Sequence, residues 1–351
     1  MKLFTVGPVE MYPETLRIEG TQLPYFRDES FSLTMKRLEM LFLKSVNAPE
    51  GSFFAGLTCS GTGGMDAAVQ NTLSADDKVL VLNGGSFGQR FADICIRYGI
   101  PTDTHDIEFE SDFIESDIEA YAGKGYSALL VNACETGTGR LYDLDYLGDF
   151  CKRNDMLFIV DAVSAYPADR VDMSAQNIDV LIASSHKGLA CSPGVVLLAL
   201  SERARARACS AKASYYFDLN TYIENQKRGQ PPFTSAIGVM LALCERLETI
   251  NTAGMEETVN MHKERAQFFR NAIKGIPVEI PKFPLSNCCT PVLFPEGNAQ
   301  EIYRRFRDEY GFVLTPSGGS LGDVMLRVGH MGNITLEDLE ALVGYLGEMK
   351  L

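Results

Sequence analysis

The residues best suited to chemistry in this chain stand just after short apolar runs. Lys187 lies in Ser184-Ser185-His186-Lys187-Gly188, after the run 179–183 and shortly before Pro193-Gly194. Most lysines are solvated. One delivered by a buried strand into a cleft binds its proton less firmly and can form an imine with a carbonyl. Asp161 closes the run 157–160 and precedes Ala162-Val163-Ser164. A carboxylate at the end of a buried strand is costly unless something meets it. A helix cap, an ion pair or a protonated ring nitrogen would each serve.

A third feature follows the run 53–57: Cys59-Ser60-Gly61-Thr62-Gly63-Gly64-Met65-Asp66, leading into a helical pattern. Free amides at a helix start cradle an anion, and Ser60 and Thr62 add hydroxyl donors. A glycine-rich turn with no ligand fits the same residues. Two nucleotide motifs do not: Asp66 stands where the third glycine of a dinucleotide fingerprint would fall, and no Gly-Lys-Ser/Thr ending is present. Phe87, in Asn83-Gly84-Gly85-Ser86-Phe87-Gly88-Gln89-Arg90, follows another run and offers either an aromatic face or core packing. An anion cup, a carboxylate and a lysine in that order match the needs of pyridoxal 5'-phosphate. That cofactor requires a phosphate site, a partner for its pyridine nitrogen and an amine for its aldehyde.

These residues need a scaffold that brings strand ends together. The runs 78–82, 127–131, 157–160, 179–183 and 195–200 are rich in Val, Ile and Leu without polar alternation, as in strands buried on both faces. Helical patterns at 64–73, 87–98 and 144–154 separate them, so an α/β fold with a mostly parallel sheet is expected. In such a sheet, ligands sit beyond the carboxyl ends of the strands. After residue 234 the pattern changes to helices at 236–250 and 255–274, short strands near 292–294 and 324–328, and a helix at 336–349. A domain change is therefore expected near residue 250, with a large cofactor-binding domain over 1–250 and a small α+β domain over 251–351. The segment 1–20 is expected to pack near the active site.

Composition excludes several classes. The net charge of −14 disfavours a nucleic-acid partner, and the run Arg203, Arg205 and Arg207 is expected to be a solvated helix face. Nine cysteines without a CxxC pair suggest reduced, buried thiols in a cytoplasmic protein. No apolar run has the roughly 20 residues that a membrane span needs. The first residues lack the apolar run of a signal peptide.

From Gly7-Pro8 to Arg327-Val328-Gly329-His330-Met331-Gly332, the ordered set resembles the class V branch of the fold-type I pyridoxal-phosphate enzymes. Alanine–glyoxylate, serine–pyruvate and 2-aminoethylphosphonate–pyruvate aminotransferases belong to this branch. The resemblance implies a seven-stranded, mostly parallel sheet. It assigns the phosphate-binding turn to Ser60, Gly61 and Thr62, and the ring-stacking aromatic to Phe87. A hydroxyl beside the ring falls to Thr136, the pyridinium partner to Asp161, and the ring's other face to Val163. Lys187 becomes the Schiff-base lysine, with His186 beside it in the cofactor site. Thr234, in Pro231-Pro232-Phe233-Thr234-Ser235, becomes a phosphate contact given by the neighbouring subunit, which implies a homodimer with shared active sites. Arg327 becomes the grip on the substrate carboxylate, suited by its planar pair of donors. No metal is implied.

The implied activity is transfer of an amino group from a small donor such as alanine, serine or aspartate to pyruvate or glyoxylate. The alternative is a 2-aminoethylphosphonate donor, which has no α-carboxylate for Arg327. Two positions depart from the family pattern. Phe87 replaces the tryptophan of glyoxylate-linked relatives, and the chain has no tryptophan; His186 replaces the Gln or Asn common before the lysine. Tyr25 and Arg27 are further candidates for the pocket. Rival readings are a cysteine desulfurase-like lyase relying on Cys288 or Cys289, a nicotinamide-linked dehydrogenase, and a catalytically silent binding protein.

Overall fold

The computed structural model describes residues 1–111, 113–208 and 213–348. Its centre is a seven-stranded sheet. The strands in chain order are β1 (Phe53–Leu57), β2 (Val79–Asn83), β3 (Thr102–Asp106), β4 (Ala128–Asn132), β5 (Leu157–Asp161), β6 (Val180–Ser184) and β7 (Val196–Leu200). They lie side by side in the order β1-β7-β6-β5-β4-β2-β3. Pairing is parallel from β6 to β3, while β7 runs antiparallel to both β6 and β1. The cause is the short helix-free link between β6 and β7. A parallel neighbour would need a crossover of a dozen residues or more, usually through a helix.

Alternate residues of the central strands face opposite layers, so an apolar run serves two cores at once. Leu80, Leu129, Phe158, Leu181 and Leu197 join one core. Val81, Leu130, Ile159, Ile182 and Leu198 join the other. The first core is covered by α1 (Glu29–Ser45) and includes Phe31, Met35, Leu38 and Phe42. The second is covered by α2 (Gly61–Thr72) and α3 (Ser86–Arg97), with Met65, Val69 and Phe91. The strand β3 escapes the search for apolar runs because it is a half-exposed edge of sequence Thr-Asp-Thr-His-Asp.

The helix α4 (Leu144–Arg153) precedes β5, and Asp143 caps it by accepting from the amides of Asp145 and Tyr146 at 3.0 and 3.1 Å. After the sheet, α5 (Ile237–Ala253) buries Met240, Leu243 and Leu247 in the same core as α1. Gly254, at φ +97°, then breaks the chain before α6 (Met255–Ala272). A third core gathers Phe269, Val292, Phe306, Leu326, Val328 and Leu342 around a three-stranded antiparallel sheet. Its strands are β8 (Cys289–Leu293), β9 (Thr315–Pro316) and β10 (Met325–Gly329), and α7 (Leu336–Glu348) lies against it.

The first residues belong to this third core. Phe4 is fully buried within it, and Lys2–Leu3 pairs in parallel with Phe312–Val313. The chain therefore starts on the C-terminal layer and runs across to the large sheet. The basic run keeps an exposed face, with Arg203 exposed and Arg205 and Arg207 half-buried, and it also makes specific contacts. Arg203 donates to the carbonyls of Asp155 and Met156 at 2.7 and 3.2 Å, and Arg207 donates to the Thr72 carbonyl and pairs with Asp77. Arg205 meets Asn220. These arginines fasten their helix to neighbouring loops and helices. Among the described residues, no helix is long and apolar enough to cross a membrane.

Candidate active site

The carboxyl ends of β4, β5 and β6 define the floor of a cleft. Asp161 is the last residue of β5 and is paired in register with Asn132, the last residue of β4. Its carboxylate accepts from Asn132 Nδ2 at 2.6 Å and from the Val163 amide at 2.8 Å. Burial pushes its pKa up, and these two donors pull against that shift. Among the described residues, no salt bridge neutralises it. A buried carboxylate with hydrogen bonds but no ion pair suits a cationic N–H ligand.

Lys187 follows β6 and is 7% exposed. Its Nζ donates to the Val6 carbonyl at 2.8 Å, and burial depresses its pKa. The approach of the opening segment requires Gly7. A Cβ there would lie 2.6 Å from Lys187 Cδ and Cε, and the glycine has φ +140°. The segment expected to pack near the site thus touches the lysine itself.

The glycine-rich turn is the first turn of α2, which starts at Gly61. Ser60 occupies the N-cap position without using its side chain as a cap, so the first amides and this hydroxyl stay available to an anion. Gly61 meets Val163, whose Cγ2 would lie 3.3 Å from an added Cβ. This contact places the anion turn beside the residue that follows Asp161 and Ala162. Gly64 lets the helix start press on the sheet, since a Cβ there would come within 2.6 Å of Val196.

Phe87 sits in the first turn of α3, half-buried, with the Arg90 guanidinium 4.7 Å from its ring centre. Arg90 Nη1 also donates to Thr62 Oγ1 at 2.9 Å, which joins the aromatic and the anion turn. Thr136 is buried, and its hydroxyl meets that of Ser164. The Thr136 carbonyl accepts from Arg327 Nη1 at 2.9 Å, while Arg327 Nη2 donates to the Pro316 carbonyl at 2.8 Å. Arg327 Nε is buried without a hydrogen-bond partner, a donor left for a ligand oxygen. His186 Nδ1 lies 2.9 Å from Ser184 Oγ, and burial lowers its pKa to about 4, so the ring is neutral. It lines an opening of about 480 Å³ with Pro8, Cys59, Ser60 and Pro193.

Three candidates lie apart from these contacts. Thr234 is exposed on the 230–235 loop. Arg27 braces this loop, donating to Gln230 Oε1 and to the carbonyls of Pro231 and Pro232 at 2.9 to 3.2 Å. Tyr25 is 62% exposed. Five residues were absent from the sequence-based site: Val6, Arg90, Asn132, Glu135 and Ser164. Asn132 carries the signal that revealed Asp161, a polar side chain at the end of a buried run. Val6 acts through its carbonyl, which no side-chain pattern reveals.

A family model described as "Aminotransferase class-V" matches residues 54–291. The chain belongs to the class V aminotransferases. It is 29% identical over 300 residues to the small subunit of a soluble hydrogenase from Synechococcus, a match covering 83% of this chain and 78% of that protein. It is 25% identical over 356 residues to alanine–glyoxylate aminotransferase of Oryctolagus cuniculus, covering 97% and 90%. Among solved structures, an aspartate aminotransferase of Thermus thermophilus superposes with a TM-score of 0.92 at 27% identity, covering 99% and 98%.

This class V aminotransferase is a pyridoxal-phosphate-dependent transaminase on the fold-type I scaffold. The groups already described fit the cofactor: an unpaired buried carboxylate, an amine with a depressed pKa, and a helix start with free donors. The desulfurase-like reading loses its nucleophile. Cys288 and Cys289 are fully buried at the start of β8, their sulfurs 3.7 Å apart, and Cys134 Sγ lies 3.6 Å from Cys288 Sγ. Thiols buried in this way are not the mobile loop cysteine that such a lyase needs.

Proposed function

We propose that this aminotransferase moves an amino group from a small amino acid, such as alanine, serine or aspartate, to pyruvate or glyoxylate, with Lys187 as its catalytic base. The observation that carries this reading is the buried pair of Lys187 and Asp161 on one floor, each lacking an ionic partner. When bound, pyridoxal phosphate supplies an electron sink that stabilises negative charge at the substrate α-carbon. Lys187 Nζ would hold the cofactor by its aldehyde and, once displaced by the substrate amine, would accept the substrate α-proton and return it as general acid. Its depressed proton affinity favours the free amine needed for the first of these steps. Asp161 would keep a proton on the ring nitrogen, and Asn132 and the Val163 amide hold its carboxylate in place.

Ser60, Gly61 and Thr62 would bind the phosphate at the start of α2, with Arg90 close enough to add positive charge. His186, neutral and beside Ser60, would reach the same region as a hydrogen-bonding group. Phe87 and Val163 would bracket the ring, and the Thr136 hydroxyl would lie at its edge. Arg327 would bind the substrate carboxylate through Nε and the edge next to it, which orients the α C–H bond. Similarity to an alanine–glyoxylate and an aspartate aminotransferase supports small donors and acceptors.

The exposed Thr234 loop suits contact with a second copy, so the working unit would be a homodimer with shared sites. The large and small domains would meet at Gly254. Buried, unpaired thiols suit a reducing cytoplasm. The test is a panel of amino donors, 2-aminoethylphosphonate included, added to the purified holoenzyme while its visible band is followed. Bleaching by alanine, serine or aspartate, reversed by pyruvate or glyoxylate, is expected. Bleaching by 2-aminoethylphosphonate alone would move the enzyme to the phosphonate reaction.

A further inference from the structure

The Glu135 carboxylate lies inside the protein, 1% exposed, on the Cys134–Glu135 strand that leads into Thr136. It accepts three backbone N–H groups and, among the described residues, has no salt-bridge partner. Oε2 takes the amides of Phe87 and Gly88 at 3.2 and 3.1 Å, and Oε1 takes the amide of Gly137 at 3.1 Å. Phe87 and Gly88 are the second and third residues of α3, whose N-cap position is Gly85 and has no side chain to offer. Those are the two amides that a capping side chain normally satisfies. A carboxylate there also meets the positive end of the helix dipole.

The surroundings leave room for this carboxylate. A Cβ at Gly85 would lie 2.8 Å from Glu135 Cδ, and one at Gly137 would lie 3.1 Å from Oε1. One residue further on, the Thr136 carbonyl receives Arg327 Nη1. The same turn therefore touches the helix start that bears Phe87 and the arginine that would grip a substrate carboxylate.

We propose that Glu135 is the positioning residue that sets Phe87 against the cofactor ring, acting as a remote N-cap of α3 while its own turn presents the carbonyl that fixes Arg327. This rests on the reading of Phe87 as the ring-stacking residue. Phenylalanine has no indole N–H to anchor it, so its place depends on the backbone of the first turn of α3. Glu135 holds that backbone through Oε2 and holds its own turn through Oε1, which accepts from the Gly137 amide. Glutamine has the same shape but would turn an N–H₂ group toward at least one amide donor.

Two measurements on Glu135→Gln test the proposal. The first is amide hydrogen exchange in the cofactor-free protein. Exchange at Phe87 and Gly88 should quicken about tenfold, the loss of one charge-assisted bond, with the central strands unchanged. Unaltered exchange at those two amides would overturn the capping role. The second is binding of pyridoxine 5'-phosphate, which has the ring and phosphate but no aldehyde, followed by fluorescence. Glu135→Gln should weaken binding severalfold in the native background and leave it unchanged in a Phe87→Leu background. An equal loss in both backgrounds, or none in either, would sink the link from Glu135 to the ring. A native protein that binds no pyridoxine phosphate would instead sink the cofactor-site assignment, leaving the exchange result to judge the cap.

Discussion

The cleft floor and the 230–235 loop are held in opposite ways. On the floor, Asp161 and Lys187 are buried, and each has backbone or amide partners from other elements: Asn132 and Val163 for the acid, Val6 for the amine. On the loop, Thr234 is exposed and the carbonyls beside it are held from behind by Arg27. Strand ends placed the first pair, so their geometry follows from the sheet register. The loop has a fixed backbone but an uncovered side chain. On the proposed reading, the chemistry is built within one chain and the loop serves a second copy. Changes on the floor should affect bond making, whereas changes on the loop should affect retention of the cofactor.

The floor gives the largest expected effect. Lys187→Ala should abolish the visible imine band and lower turnover by about 10⁴-fold or more, because it removes the covalent anchor and the general base together. Absorbance and single-turnover transamination measure the two losses. A variant that stays coloured and turns over at the native rate would place the chemistry elsewhere, and the contrast between floor and loop would collapse.

How far this contrast was legible in the sequence depends on the kind of signal. Asp161 and Lys187 were visible because a charged residue after a buried apolar run is rare and costly. The helix at Gly61 was visible through its glycines, although the helical pattern first suggested a start at residue 64. The edge strand β3 was hidden because a half-exposed edge need not be apolar. The antiparallel turn of β7 could have been inferred from the short link after Lys187, but the even hydrophobicity of its strand concealed it. Glu135 and Val6 were invisible for a different reason. One caps a helix that begins about fifty residues earlier in the chain, and the other works through a carbonyl. Such long-range backbone contacts leave no local pattern. The arginines at 203, 205 and 207 keep the exposure that their spacing suggested, but the spacing did not reveal their contacts with Asp155, Met156, Thr72 and Asp77.

The wall contributed by β10 should give an intermediate effect. Arg327→Lys keeps the charge but loses the planar fork that spans the Thr136 and Pro316 carbonyls. The kcat/KM for the oxo-acid should fall about 10- to 100-fold, the value of a charged hydrogen bond. Most of that loss should appear in KM, and the visible band should remain. A loss of the band itself would show that Arg327 supports the cofactor and would make it part of the floor.

Thr234→Ala should give the smallest effect and the most specific one. Water can replace an exposed hydroxyl at the phosphate, so the loss lies at the low end for a hydrogen bond to a charged group, about 1.5 kcal/mol, and cofactor retention should fall about tenfold while turnover of the loaded enzyme stays the same. If the loop serves the neighbouring subunit, mixed dimers provide a sharper measurement. A Lys187→Ala chain has an intact Thr234, and a Thr234→Ala chain has an intact Lys187. In a hybrid of the two, the site that holds Lys187 should receive a native loop from its partner and regain native cofactor affinity. If the loop serves its own chain, that site keeps the altered residue and stays weak. Retention measured on the purified hybrid separates these arrangements because its Lys187→Ala sites form no covalent adduct and add nothing to the imine band.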